Sequence, residues 1–192
     1  MAIRRVITGH NEKGQAVVVR NEPLHPDTPG FAHYRIWGAE QPPVFPDTGQ
    51  LPAGADSLVP APGGLRVRMV SMPPHFGADD MYDTSDPQRR AEAARAQSAA
   101  EPGVLADPNP PGTYGTAPGA SGMHAAASAD CVMQISGESV CLLADSEVRL
   151  HAGDWLVING VTHSWRDDGD ISAVMLTIAY GAHHHGVPLR TR

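Results

Sequence analysis

The sequence has 192 residues and a formal net charge of −7, from 14 basic and 21 acidic side chains. An acidic balance without a basic patch argues against a general binder of nucleic acid or of anionic membranes. No apolar stretch has the length of a transmembrane helix or forms a signal-type core, so we expect a cytoplasmic protein. The length suits one domain, and 20 glycines and 18 prolines are typical of a turn-rich β protein.

The first half of the chain predicts short strands that are separated by turns. Strands are predicted at 3–8, 15–20, 31–37 and 65–72. The stretch 41–64 is rich in Pro, Gly, Ala and Asp, which predicts an irregular surface loop. In the last of these strands Arg66 and Arg68 alternate with apolar residues, so the two arginines share one face. They are either solvated or directed into a cavity, where they would bind an acidic substrate.

The segment 73–121 has a different composition and predicts an insertion. Residues 86–98 are rich in alanine, with Pro87 in the first turn, and predict one surface helix. The rest is rich in Pro and Gly and is either a disordered loop or a lid. As a lid it would carry polar side chains toward a site, namely His75, Asp79, Asp80 and Tyr82.

The C-terminal third predicts an all-β sandwich or barrel. Short apolar runs alternate with turn signals, and they predict strands at 132–135, 140–143, 148–150, 155–158 and 171–180. Cys131 and Cys141 fall on strands predicted to be adjacent, where free thiols are the simpler interpretation and a disulfide the alternative. A tail with three consecutive histidines, 183–185, follows and is expected to be exposed. We divide the chain into parts 1–72, 73–121, 122–182 and 183–192 of one domain.

Two motifs in this third carry a family resemblance. Counting back from Gly137, His124, Ala126 and Asp130 take the positions of the family motif H-x-H-x3,4-E-x6-G. Around Gly160, a second motif, P-x-G-x2-H-x3-N, is matched by His163, with Ile158 and Asp167 in place of the proline and the asparagine. The segment therefore resembles a single-domain cupin, a small RmlC-like jelly-roll barrel of the cupin-2 type, with a degenerate metal motif.

The resemblance implies an all-β jelly roll with an N-terminal strand arm and a long insertion. In the related single-domain cupins such an arm pairs with a barrel sheet, often across a dimer, so a homodimer is expected. The alternative is a hairpin that packs on its own barrel. The implied interior comprises His124, Asp130, Gln134, His163 and Trp165, because strand side chains alternate with a period of two.

The implied site allows two kinds of chemistry. Cupins that bind metal hold a divalent transition metal such as Fe, Mn, Zn or Ni, and His124, Asp130 and His163 would be the ligands here. Without metal, His163 and His124 would act as general base or acid. Gln134, Trp165, Arg66 and Arg68 would bind the substrate.

Three functions follow from these alternatives. The first is an acid–base enzyme of lyase, isomerase, dehydratase or decarboxylase type, acting on a carboxylated or hydroxylated small molecule. The second is a metal-dependent dioxygenase with a His/His/Asp site. The third is a non-catalytic cupin that binds a ligand. In each case the expected partner is a small molecule, and neither nucleic acid nor a membrane.

Overall fold

The computed structural model describes residues 3–26, 31–52, 57–77, 113–116 and 122–185. Within these ranges the N-terminal strands are β1 (Ile3–His10), β2 (Ala16–Leu24), β3 (Ala32–Ala39), β4 (Leu65–Met72), β5 (Tyr114–Thr116) and β6 (His124–Ala126). The later strands are β7 (Ser128–Ser136), β8 (Glu138–Leu142), β9 (Glu147–His151), β10 (Trp155–Asn159), β11 (Ser164–Arg166) and β12 (Ala173–Gly181). The described residues contain no helix, and the predicted all-β class is confirmed.

Two antiparallel sheets enclose the core. The first has five strands in the order β10-β7-β12-β4-β3, and the second has three in the order β11-β8-β9. The two-stranded sheet of β5 and β6 joins the second sheet through an isolated bridge between His124 and His163. The core cluster includes Val132 and Met175 from the first sheet and Cys141 from the second. The sheets therefore pack face to face, as in a jelly roll.

The predicted strands match this architecture closely, with three short exceptions. All four N-terminal and all five C-terminal predictions correspond to observed strands, and the described part of 41–64 contains none. Strands β5, β6 and β11 were not predicted, because each has three residues and no apolar alternation. The predicted helix at 86–98 lies outside the described residues. No helix long and apolar enough to cross a membrane occurs in the described ranges.

The two cysteines are in different sheets, so the expectation that they lie on adjacent strands was wrong. Cys131 is in β7 of the first sheet and Cys141 in β8 of the second, and both are free thiols. The chain crosses from one sheet to the other at the turn after β7, although the two strands are consecutive in sequence. Burial raises the pKa of Cys141 to about 11, so its thiol is inert at neutral pH.

The N-terminal hairpin is tied to its own chain at two points. The Arg5 guanidinium forms an ion pair with Glu22 and donates to the Arg35 carbonyl at 3.0 Å, on edge strand β3. At the other end the His10 amide donates to the Asp47 carbonyl at 2.7 Å. β1 and β2 nevertheless form a separate two-stranded sheet, with no backbone ladder to the barrel in the described residues.

Candidate functional site

The centre of the candidate site is a pair of histidines on neighbouring backbone segments. The His124 amide donates to the His163 carbonyl at 2.8 Å, and the His163 amide donates back to the His124 carbonyl at 2.9 Å. Residues directly opposite in an antiparallel pair project to the same side. The two imidazole centroids accordingly lie 4.4 Å apart. The structure thus brings together the two histidines that the motifs single out.

A backbone carbonyl orients each of the two rings. Nδ1 of His124 lies 3.0 Å from the Gly122 oxygen, and Nδ1 of His163 lies 2.9 Å from the Val161 oxygen. A carbonyl oxygen only accepts, so Nδ1 carries the proton and the lone pair of a neutral ring is on Nε2. Burial lowers the pKa of His163, although its bond to Val161 acts in the opposite direction. His163 is therefore a neutral imidazole at neutral pH, with its basic nitrogen on the far side of the ring.

Two charged side chains of the five-stranded sheet lie close to this pair. Arg68 is on the buried face of β4, where it is 8% exposed, and Asp130 is on β7. Burial raises the pKa of Asp130, whereas the Ser128 hydroxyl and the charges of Arg68 and His124 oppose that shift. The first sheet therefore contributes a permanent cation and a carboxyl group whose protonated form is favoured by burial.

Buried polar atoms without a direct partner occur on the inward faces of β3 and β7. Oδ1 of Asp130 and Oγ of Ser128 form no hydrogen bond of good geometry with another described residue, although the Ser128 hydroxyl is near enough to Asp130 to lower the pKa of that carboxyl group. Nδ1 of His33 forms none either. Unpaired buried polar atoms are uncommon, because each forfeits its hydrogen bonds to water. A polar small molecule that reaches one of these atoms would satisfy it.

His33 is a site residue that the sequence reasoning missed. It is opposite Val70 on the inward face of β3. Burial, together with the charges of Arg68, Arg35 and His124, lowers its pKa to about 3. The predicted strand at 31–37 has side chains that alternate between its two faces, so His33 and Arg35 share one face. This shared face was the signal in the sequence that could have identified His33 as a site residue.

Tyr114 is a second residue that was missed, since it belongs to the segment interpreted as an insertion. Its ring lies 5.5 Å from the ring of His124, centroid to centroid, because β5 pairs with β6.

Gln134 and Trp165, both predicted to bind substrate, have different surroundings. Gln134 is fully buried. Its Nε2 donates to the Ser136 carbonyl at 2.8 Å, and its Oε1 accepts from the Ser139 hydroxyl at 2.7 Å. These bonds link β7 to β8 and favour a structural role for Gln134. The Trp165 ring meets the His163 ring edge-on, with centroids 6.2 Å apart, so Trp165 forms part of the wall beside that histidine.

Arg66 is held in place by contacts of its own. Its guanidinium forms an ion pair with Glu40 and donates to the Ser57 hydroxyl at 2.7 Å. It also donates to three carbonyl oxygens, those of Ser57, Ala39 and Leu65. A guanidinium has five N–H donors, and these contacts account for all of them. Arg66 therefore fastens the loop before β4 to the sheet, and none of its N–H donors is left for a ligand.

The described residues do not fit a metal centre. No three His, Cys, Asp or Glu side chains in the described ranges converge closely enough to hold a metal ion. The proposed ligand Asp130 is on β7 of the five-stranded sheet, whereas His124 is on β6 and is bridged to His163, the residue before β11.

The other sequence candidates lie elsewhere. His75 is largely exposed and lies 3.5 Å from the Asp170 carboxylate, while Asp79, Asp80 and Tyr82 are outside the described residues. In the tail, Nε2 of His184 donates to the Gly160 carbonyl at 3.1 Å.

A scan against protein-family models found no match, and a search of curated proteins found none either. Similar solved structures include a cupin 2 conserved barrel domain protein from Salinispora arenicola. It has 13% identity and a TM-score of 0.40, and the match covers 83% of this chain and 82% of that one. The Cupin_2 domain of an XRE family transcriptional regulator from Enterobacter cloacae has 11% identity and a TM-score of 0.35, with 62% and 83% covered.

A third similar structure is the DMSP lyase DddQ from Ruegeria pomeroyi, with 14% identity and a TM-score of 0.41. The match covers 82% of this chain and 50% of that one. Two of the three are described as cupins, the family that the motifs of this chain resemble. At such identities and TM-scores, no activity, ligand or partner is transferred from these proteins to this chain.

Proposed function

We propose that this protein is a small-molecule enzyme that uses barrel histidines for acid–base chemistry on a carboxylated or hydroxylated compound. The observation that carries the proposal is the opposed pair of His124 and His163, each oriented by a backbone carbonyl. A general base needs a neutral ring with a defined tautomer, and burial favours that state in His163. A lyase, isomerase, dehydratase or decarboxylase would use such a base.

Each residue has a distinct role in this proposal. Nε2 of His163 takes a proton from the substrate and becomes an imidazolium, and the electron pair that is released stays on the substrate. His124, across the pair, or a protonated Asp130 returns a proton to the reacting molecule. Arg68 binds the carboxylate of the substrate as a bidentate partner. His163 then loses its proton to solvent and the group that acted as acid regains one from solvent, so both residues return to their starting states without a redox partner.

The test separates ligand binding from turnover. We would screen small carboxylic and hydroxy acids by ligand-observed NMR with the full chain, and then follow each bound compound by ¹H NMR for conversion. His163→Asn should abolish conversion while the ligand still binds. Arg68→Met should weaken binding itself, by roughly tenfold or more if one charge-assisted pair is lost. Ser146→Ala, at an exposed turn, is the control that should change neither.

Two outcomes would contradict the proposal. A compound that binds tightly but is never converted would point to the non-catalytic cupin. Conversion that survives in His163→Asn would exclude His163 as the base.

A further inference from the structure

The segment that follows β12 lies against both of the segments that carry the histidine pair. The Ala182 amide donates to the Ala127 carbonyl at 2.8 Å, directly after β6. Two residues later, Nε2 of His184 donates to the Gly160 carbonyl at 3.1 Å. Gly160 begins the turn that leads from β10 to His163. One short stretch of backbone therefore contacts the surroundings of both histidines.

The His184 ring also packs on Gly160 itself. Gly160 has a φ of 65°, and a Cβ there would lie 3.2 Å from Cδ2 of His184. Nδ1 of His184 is buried and has no hydrogen-bond partner among the described residues. A phenylalanine would fill much of the same space without the cost of that unpaired atom. The bond from Nε2 to the Gly160 carbonyl is therefore what the imidazole contributes.

The turn between Gly160 and His163 presents its side chains to solvent. Val161 is 48% exposed and Thr162 is exposed, so these two side chains do not fasten the turn to the core. Glycine has more backbone freedom than any other residue, so the turn begins at its most adaptable point. The Val161 carbonyl, which accepts from Nδ1 of His163 at 2.9 Å, belongs to the peptide plane next to that of the Gly160 carbonyl. The orientation of the first carbonyl therefore limits the orientation of the second.

We propose that His184 is a positioning residue for His163. By holding the Gly160 carbonyl it fixes the turn, and the Val161 carbonyl then keeps the proton of His163 on Nδ1 and its lone pair on Nε2. This role rests on the proposed function of His163 as the base. The tautomer of His163 is measured on the free protein, however, so His184 can lose its assigned role while the base keeps its own, and the reverse.

The first experiment uses the wild-type full chain, so that no variant needs to fold. Long-range ¹H–¹⁵N NMR of the imidazole rings, recorded above neutral pH, distinguishes the two neutral tautomers of each histidine. His163 should carry its proton on Nδ1 and His184 on Nε2, because each ring donates to a carbonyl through that nitrogen. Signals that disappear in His163→Asn and in His184→Gln assign the two rings. A wild-type His184 with its proton on Nδ1 would overturn the proposal.

The second experiment removes the donor. In His184→Ala the His163 ring should exchange between its two tautomers, with ¹⁵N shifts between the two limits. His184→Gln should restore the Nδ1 tautomer, because its side-chain amide can donate to the Gly160 carbonyl. His183→Ala is the matched control, since His183 is the adjacent, exposed histidine, and it should leave His163 unchanged. An unchanged His163 in His184→Ala, or an equal shift in His183→Ala, would contradict the positioning role.

Turnover gives a separate measure. For any compound that the wild type converts, His184→Ala should lower the rate of conversion by roughly tenfold and leave ligand binding as it is, because His163 is correctly oriented only part of the time. His184→Gln should recover most of that rate, and an unchanged rate in His184→Ala would remove His184 from the mechanism. If the tautomers behave as expected but no compound is converted, the proposed function fails and the positioning of His163 stands.

Discussion

His33 illustrates how one buried side chain makes stability depend on pH. In the folded chain burial lowers its pKa from the ordinary 6.5 to about 3. Between these two values the unfolded chain binds a proton that the folded chain does not bind. The contribution of His33 to stability is therefore complete above pH 6.5 and is lost as the pH falls toward 3. The loss is on the order of a few kcal/mol.

His33→Phe should reduce this acid sensitivity. The Phe31 ring is 4.9 Å from the His33 ring and stacks on Phe76 at 5.1 Å, so an aromatic replacement has apolar neighbours. We expect the free energy of unfolding, measured by urea denaturation from pH 7 to pH 4, to fall less steeply than in the wild type. His151→Gln, at an exposed histidine, should keep the wild-type slope. Equal slopes for His33→Phe and the wild type would contradict the assignment.

At the residue scale, spacing was enough to find the histidine pair but not its surroundings. His124 and His163 were identified from motif positions around Gly137 and Gly160. Arg66 and Arg68 were indistinguishable in the sequence, because both lie on the inward face of one strand. The structure shows that Arg66 is held by Glu40 and by the Ser57 loop, which the sequence did not indicate. These contacts depend on the conformation of the loop before β4, which no local sequence pattern predicts.

At the element scale, glycine positions decide where strands can turn. Gly137 joins β7 to β8 with a φ of 67°, and a Cβ there would lie 2.6 Å from the Ser172 carbonyl oxygen. Gly14, in the turn between β1 and β2, has a φ of 72°, and a Cβ there would meet nothing within 4 Å. The two positions share the left-handed backbone and differ only in the space around it.

We therefore expect alanine to be more costly at Gly137 than at Gly14. Gly14→Ala should lower the free energy of unfolding by about 1 kcal/mol, the cost of left-handed backbone with a Cβ. Gly137→Ala should lower it by a further 1–3 kcal/mol or so, because the backbone near Ser172 must move. Urea midpoints of the two variants test this. Equal losses would show that the contact with Ser172 relaxes without cost.

The strands themselves could largely be predicted, since β-branched runs and turn residues act over a few neighbouring positions. Strands β5, β6 and β11 could not be predicted. Each is held by pairing with a partner strand and not by its own composition, as Ser164 to Arg166 pairs with Leu142 to Val140 of β8. The same dependence on partners explains why Cys131 and Cys141, on consecutive strands, are in separate sheets.

For the whole molecule, metal content is the property that best distinguishes metal-free acid–base catalysis from a metal-dependent dioxygenase. The described residues offer no three convergent metal ligands. We expect tag-free protein, purified without chelator and reconstituted anaerobically, to hold far less than one Fe, Mn, Zn or Ni per chain. His163→Ala should give the same result. Elemental analysis by mass spectrometry measures it.

The opposite outcome is equally informative. A near-stoichiometric metal that is lost in His163→Ala would restore the His124, Asp130 and His163 site and the dioxygenase hypothesis. Because three histidines in a row can retain metal weakly, a variant with 183–185 changed to alanine is the necessary control.

The sequence alone determined the all-β class, the positions of most strands, and the two histidines at the centre of the site. These depend on side-chain periodicity and on turn residues, which act locally along the chain. Only the tertiary structure decided which strands are neighbours, and therefore that His124 faces His163 and that His33 and Tyr114 join them. These features depend on how strands that are far apart in the sequence pair with one another. The packing of the two sheets determines that strand register.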